Sequence, residues 1–257
     1  MYITHFASTA DIYGDMCIVD FDNYKIMIDG GKTKSDASLL HLNMIGNFNN
    51  LFILSHWHRD HYAYLSEYPI KTILGRGCNG QILPDANDLI IETGIDFSLS
   101  DNIKIYASHL LELDDENSNS MVTVIIYGDI TYFSFGDATP EAINRYNYEI
   151  FDLIMNSHYP IIKLPHHGSK DNCYALLDKI NNRGNIRYII SGLGGDYVFN
   201  TVNAVLGVES NYLYWVAKYD SNYCNTYSFQ QAQRNYGDRF VYSNRVTVNP
   251  DGSISYF

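Results

Sequence analysis

The chain has 257 residues, 46% of them hydrophobic, and 29 acidic against 17 basic side chains give it a formal charge of −12. That length buries a full core, and the charge opposes a broad nonspecific grip on nucleic acid, which rests on Lys and Arg displacing counterions. A phosphodiester held locally through metal ions stays compatible with it. No apolar run approaches the length that crosses a bilayer, and the N-terminus has neither the basic nor the apolar stretch of a leader. Cys17, Cys78, Cys173 and Cys224 stand far apart with no C-x-x-C pair, so a soluble cytoplasmic protein with reduced thiols is expected. Without a linker, repeat or low-complexity tract, one domain over residues 1–257 is expected. The 23 tyrosines read first as core and surface filling, with a stacking surface for bases as the other use.

In chain order, CIVDF and YKIMID read as a hairpin about Asp22-Asn23 that ends in Asp29-Gly30-Gly31. SDASLLHLNMIGN carries an imperfect helical stripe, and LFIL is a short buried strand. NIKIYAS and MVTVIIY are strands, the second pairing through Gly128-Asp129 with ITYFSF, which runs into Gly136-Asp137. Thr139 is placed to cap a helix with Pro140 at its first position. IIKL is again a strand, ending in PHHGS; YIIS, a helix from about Thr201, and the strands YLYWV, NRVTV and SISYF follow, with a turn over Asn249 to Gly252.

Three of the nine histidines fall within six consecutive positions, in SHWHRDH after LFIL. Four ionisable groups packed so closely are costly to bury unless something binds them. His56 and His58, two apart in extended chain, turn their rings to one side, while Asp60 and His61 diverge unless the chain turns. That arrangement suits two neighbouring metal ions better than one. Three strand ends thus deliver potential ligands: the histidine loop, Asp137, and His166-His167. The acidic loop Glu112, Asp114, Asp115 and Glu116 reads as solvated, and so do the basic side chains Lys163, Lys170, Lys179, Arg183 and Arg187. His5, His41 and His158 read as structural.

HWHRDH matches the HxHxDH motif of the metallo-β-lactamase superfamily, and IDGG, NSNSMVTVIIYG, FSFGDA and IIKLPHHGSK resemble further segments of it in the same order. The resemblance spans roughly residues 14 to 200. Within the superfamily the chain looks most like the metallo-hydrolase domain of the bacterial DNA-uptake channel protein ComEC, and it is also similar to the phosphorylcholine esterases. This implies an α/β fold, a four-layer αββα sandwich with two divalent metal ions, zinc or manganese, at one edge of its sheets. It implies that His56 and His58 hold the first metal and that Asp60, His61 and His167 hold the second, with Asp137 shared. Asp29 is implied behind the metal-binding loop, orienting a ligand histidine. His166, with Asp60, is implied at the chemistry itself, facing the substrate or its leaving group. Ser169, Lys170 and Trp57 are weaker candidates for substrate contact.

The chain departs from the pattern twice. Asn117, Ser118 and Asn119 stand where many members carry a further histidine, so the first site is expected to bind more weakly, with His109 a possible substitute. Val198-Phe199-Asn200 follow ISGLGGDY where ComEC-like sequences continue into Gly-His-Pro. The expected function is a metal-dependent phosphodiesterase or nuclease. A phosphorylcholine-esterase-like hydrolase of small esters, with Trp57 and tyrosines caging a quaternary ammonium, is the alternative, and a non-catalytic scaffold is a weaker one. The expected partner is a phosphodiester or small-ester substrate, with no membrane.

Overall fold

The computed structural model describes residues 1–7, 15–21, 24–31, 51–62, 72–75, 87–90, 95–100, 103–108, 113–192, 197–218 and 220–257. The expected helix within 35–47, the Asp22-Asn23 turn, His41, Cys78, His109 and Glu112 lie outside these residues.

Apolar runs along extended segments build two sheets, each with eight strands among the described residues. The first takes β1 (Tyr2–Phe6), β2 (Met16–Phe21), β3 (Tyr24–Gly30), β4 (Leu51–Ile53), β5 (Thr72–Gly75) and β6 (Asn87–Ile90), with β15 (Arg245–Val248) and β16 (Ile254–Tyr256), in the order β16-β15-β1-β2-β3-β4-β5-β6. The second takes β7 (Ile95–Ser100), β8 (Ile103–Ala107), β9 (Thr123–Tyr127), β10 (Ile130–Ser134), β11 (Tyr159–Lys163), β12 (Arg187–Ser191), β13 (Tyr212–Val216) and β14 (Phe240–Ser243), in the order β14-β13-β12-β11-β10-β9-β8-β7. Each sheet changes from antiparallel to parallel pairing at one strand. In the first it is β3, antiparallel to β2 and parallel to β4; in the second it is β10, antiparallel to β9 and parallel to β11.

One core lies between the sheets and joins Ile3, Val19, Ile28 and Ile53 to Ile105, Ile125, Tyr132, Ile161 and Ile189. The other covers the opposite face of the second sheet. There Val124, Phe133, Ile162, Tyr188 and Trp215 meet Ile143, Ile150, Leu176, Val202 and Phe229. These last five come from α2 (Pro140–Arg145), α3 (Tyr148–Asn156), α4 (Lys170–Lys179), α5 (Val198–Leu206) and α7 (Tyr227–Tyr236). Neighbours such as Tyr132 and Phe133 therefore enter different cores, which is why these strands read as unbroken apolar runs. Thr139 caps α2 as expected, accepting from the Ala142 amide at 3.4 Å. α5 begins at Val198, three residues before the helix expected from Thr201. Phe199, Trp215, Tyr223, Phe229, Phe240 and Tyr242 form one cluster of mostly edge-to-face rings, so part of the aromatic excess is packing. Two short helices, α1 (Arg59–Tyr62) and α6 (Ser221–Cys224), also lie among the described residues. Among the described residues no helix is long and apolar enough to cross a membrane.

His5, in β1, is buried with Nε2 paired to the Tyr132 hydroxyl at 3.0 Å. Burial first, then the charge of Lys163, pushes its pKa from 6.5 down to about 3. Between those values the unfolded chain binds a proton there that the folded chain refuses, so stability falls as pH drops through that window, by at most about 1.4 kcal/mol per unit. His5→Gln should make the dependence of unfolding free energy shallower by about that much between about pH 6 and 4.5. Denaturant titrations at several pH values measure it, and parallel slopes would show a histidine that titrates normally in the fold.

Candidate metal centre

Four strand ends converge on one edge. Asp29, the next-to-last residue of β3, has φ 51°, and β4 leads through Leu54 and Ser55 into His56 and the α1 turn that carries Asp60 and His61. β10 leads through Gly136 to Asp137. Gly136 has φ 54°, and a Cβ there would stand 2.6 Å from Ser55 Cβ, so only glycine lets the loops after β4 and β10 approach this closely. β11 leads to His166 (φ 48°), His167 (φ 50°) and Gly168 (φ 81°). Two consecutive left-handed non-glycine residues cost about 1–2 kcal/mol each. They are held by hydrogen bonds from His166 N to Gly136 O (3.0 Å), Gly168 N to Pro165 O (3.1 Å) and Ser169 N to His166 O (2.8 Å). The different settings of His166 and His167 thus come from a left-handed turn. Both rings approach the same carboxylate oxygen, Asp137 Oδ2, at 4.0 and 3.6 Å, with the His167 side chain buried and that of His166 38% exposed.

Three histidines are held from behind. Asp29 accepts from Ser55 N and Ser55 Oγ at 2.9 Å each, and from His61 Nδ1 at 2.9 Å. Since the single Ser55 hydroxyl proton goes to Asp29, Ser55 Oγ accepts from His56 Nδ1 at 3.0 Å. His167 Nδ1 donates to Ser191 O at 3.0 Å. Each of the three rings therefore keeps Nδ1 engaged and turns Nε2 toward the others, the nitrogen that ligates a metal once its proton is displaced. His61 Nε2 lies 3.4 Å from Asp137 Oδ2, His167 Nε2 lies 3.2 Å from Asp60 Oδ2, and His56 Nε2 lies 3.1 Å from His58 Nδ1. One ligand atom from each of Asp60, His61, Asp137 and His167 falls within 4.8 Å of the others.

The electrostatics follow from burial. Burial works against ionised Asp137, yet His61, His167 and Lys163 outweigh it and hold the carboxyl well below the usual range. Burial likewise opposes a charged His61, but Asp137 and Asp29 hold its pKa well above normal. His56 goes the other way, down to about 3, through burial and the neighbouring His61. A second group, Asp15, Asp29 and His61, is also close enough to hold an ion. Its oxygens are already engaged, since Lys163 Nζ and Ser191 Oγ donate to Asp15 while Ser55 and His61 donate to Asp29.

Lys163 corrects the reading of a solvated basic segment. It is buried at the end of β11, bonded to Asp15 and to Gly136 O (2.9 Å), with Nζ 3.9 Å from Asp137 Oδ1. Its only sequence signal is a charge inside an apolar strand; Asp15, Ser55 and Ser191 carried none. Glu116 is not simply solvated either, because its Oε1 accepts from Trp57 N at 2.8 Å and so ties the acidic loop to the histidine loop. Trp57 is half-buried and packs edge-on against Tyr62, with ring centroids 5.3 Å apart. Ser169 Oγ donates to Asn172 Oδ1 (3.3 Å), and Asn172 Nδ2 donates to His166 Nδ1 (3.2 Å) and to Ala138 O (2.8 Å). Ser169 thus acts on His166 through Asn172. Lys170 is exposed, with Nζ 5.6 Å from the centre of the Tyr174 ring. Asn119 spends its whole amide on Leu113, accepting from N at 2.8 Å and donating to O at 2.9 Å.

No family model matches the chain, and no curated protein matches its sequence. Solved structures do match. The metallo-β-lactamase fold protein YhfI from Bacillus subtilis has a TM-score of 0.56 at 11% identity, over 84% of this chain and 97% of its own. Zinc-bound PqqB from Methylobacterium extorquens gives 0.55 at 9%, over 97% and 100%. Tm1679, described as a metal-dependent hydrolase of the β-lactamase superfamily, gives 0.56 at 13%, over 84% and 96%. The chain therefore has the α/β metallo-β-lactamase fold, two mixed sheets with flanking helices.

Asn119→Ala should leave bound metal unchanged and lower stability by about 1–3 kcal/mol, because it unpairs two groups of the Leu113 backbone. Asp60→Ala with His61→Ala should lose metal. Elemental analysis beside denaturant unfolding distinguishes them, and metal lost from Asn119→Ala would make that amide a ligand.

Proposed function

We propose that the protein is a metal-dependent hydrolase of phosphodiesters that works with two divalent ions, zinc or manganese. The observation that carries the proposal is a pair of buried atoms without a hydrogen bond, His61 Nε2 and Asp137 Oδ1, amid histidines already fixed from behind. Lys163 Nζ, at 3.9 Å, stands too far off to hydrogen-bond that oxygen, and a buried carboxylate oxygen without a direct partner is costly unless a closer cation meets it. The separations of 3.4 Å between His61 and Asp137, 3.6 Å between His167 and Asp137, and 3.2 Å between His167 and Asp60 compare with about 3.3 Å between ligands on a tetrahedral zinc. The donor set fits the group. His56 and His58 would hold the first ion and Asp60, His61 and His167 the second, with Asp137 between them. The zinc of PqqB and the hydrolase description of Tm1679, on the same fold, support the reading.

When bound, such ions polarise a phosphoryl oxygen and acidify a water. The chain's own groups prepare that chemistry. Lys163 compensates the charge of Asp15 and lies beside Asp137, which favours the ionised carboxylate. Asn172 fills His166 Nδ1, so the proton of the neutral ring sits on Nε2 at the rim, where it donates to a leaving oxygen. PHHGS and the Asn-x-Ser stretch resemble the ComEC-like branch, which favours a phosphodiester over a β-lactam or a glyoxalase substrate.

His167→Ala should lose metal and all activity. His166→Ala should keep its metal and its fold, losing about 10²–10⁴-fold on short single- and double-stranded DNA and less on bis-p-nitrophenyl phosphate, whose leaving group departs without a proton. Activity and metal content measured on each variant decide the assignment. Metal lost from His166→Ala would reverse the two roles, and a fully loaded protein inert on every phosphodiester would favour the small-ester alternative.

A further inference from the structure

At the end of the second sheet remote from the metal centre, the starts of β11, β12 and β13 frame a cleft of about 470 Å³, lined by His158, Tyr159, Arg183, Asn185, Arg187 and Tyr212 among others. It lies about 13 Å along β11 and β12 from the ligand loops. No lining residue is a carboxylate, in a chain whose net charge is −12. The two arginines are not equivalent. Arg183 is spent on the C-terminal end of α3, donating to Ile154 O and to Ser157 O (2.6 Å), which satisfies carbonyls that a helix end leaves open. Arg187 is half-buried, and its guanidinium lies over the Tyr159 ring at 5.8 Å with no side-chain hydrogen bond or ion pair to any described residue. A planar guanidinium with its donor fork unused, in a cleft without a counter-charge, matches the forked oxygens of a phosphoryl group. Ser157 Oγ, in the same lining, is buried without a hydrogen-bond partner.

The aromatic wall narrows the ligand further. Tyr159 is already engaged, its face by Arg187 and its edge-on neighbour His158 at 4.4 Å. Tyr212 is 39% exposed and stands beside Arg187 in the parallel register of β12 and β13. An anion site and an open ring thus sit about one strand spacing, 4.8 Å, apart. We propose that this cleft binds a small phosphorylated molecule of the nucleoside monophosphate class, with its phosphoryl group on Arg187 and its base on Tyr212. The volume falls in the range of small-molecule sites. The site is separate from the metal centre and does not rest on the reaction assigned there.

Calorimetric titration of the metal-loaded protein with adenosine 5′-monophosphate, orthophosphate and adenosine tests this, with unfolding curves confirming that each variant is folded. The monophosphate should bind both wild type and His61→Ala. Arg187→Gln should weaken it by about ten- to a hundredfold while keeping its metal content, and Arg187→Lys should fall between. Tyr212→Ala should weaken the monophosphate and spare orthophosphate. Binding lost in His61→Ala and unchanged in Arg187→Gln would place the phosphate at the metal centre and overturn the proposal. So would monophosphate binding no tighter than that of adenosine.

Discussion

Three carboxylates, Asp15, Asp29 and Asp137, are each no more than 4% exposed, and the edge of the sandwich is organised by the need to compensate them. A buried charge without a partner is among the costliest features a fold can carry. Asp15 is answered by the Lys163 ammonium and the Ser191 hydroxyl, and Asp29 by both donors of Ser55 and by His61. Asp137 is answered only in part, with Lys163 at 3.9 Å and one oxygen unbonded. Two of the three are thus closed by the chain, and the third is left for a cation. Lys163 serves both purposes, because closing Asp15 also sets a fixed positive charge beside Asp137.

The sheet topology supplies the convergence. β3 and β10, where each sheet changes sense, lead directly to Asp29 and to Gly136-Asp137. Their next parallel neighbours, β4 and β11, lead to the histidine loops. Carboxylates and imidazoles therefore arrive in pairs from adjacent strands, at the carboxyl ends where open α/β sheets form their crevices. The close approach at Gly136 and the left-handed turn over His166 and His167 are local strains that this convergence requires, and hydrogen bonds between the loops hold them.

What was legible in the sequence was whatever is dense over a short range. HWHRDH, FGD and PHHGS announce themselves because several ionisable groups follow an apolar run at once, and the resemblance of these segments to one superfamily anticipated the fold. The strands from NIKIYAS to YLYWV were legible from their apolar runs. Asp15, Ser55 and Ser191 were not, because a lone aspartate or serine looks like any turn residue until the fold brings it to a partner. Lys163 and Asp15 are 148 positions apart, and Ser191 and Asp15 are 176. Lys163 was read with the basic side chains near it in sequence, although its strand carries its neighbours into the core and it must go with them. Glu116 was missed for the opposite reason: three acidic neighbours made it look solvated, while one backbone amide in the histidine loop gave it a partner.

The two halves of the centre are unequal for a reason visible in the loop that would complete the first. Asp60, His61, Asp137 and His167 form a full cluster, whereas His56 and His58 form a pair joined at 3.1 Å. In the loop before β9, Ser118 is bound to Asp115 and Thr139, and Asn119 to Leu113. Those side chains hold the loop in shape, and so does Glu116 on the amide between His56 and His58. Asn117 is different, for its Oδ1 is buried with no hydrogen-bond partner. An amide oxygen is a harder and weaker ligand than imidazole. Rigidity in this loop has been gained with side chains that make poor ligands, and in the proposed centre an ion at His56 and His58 would depend the more on its share of Asp137.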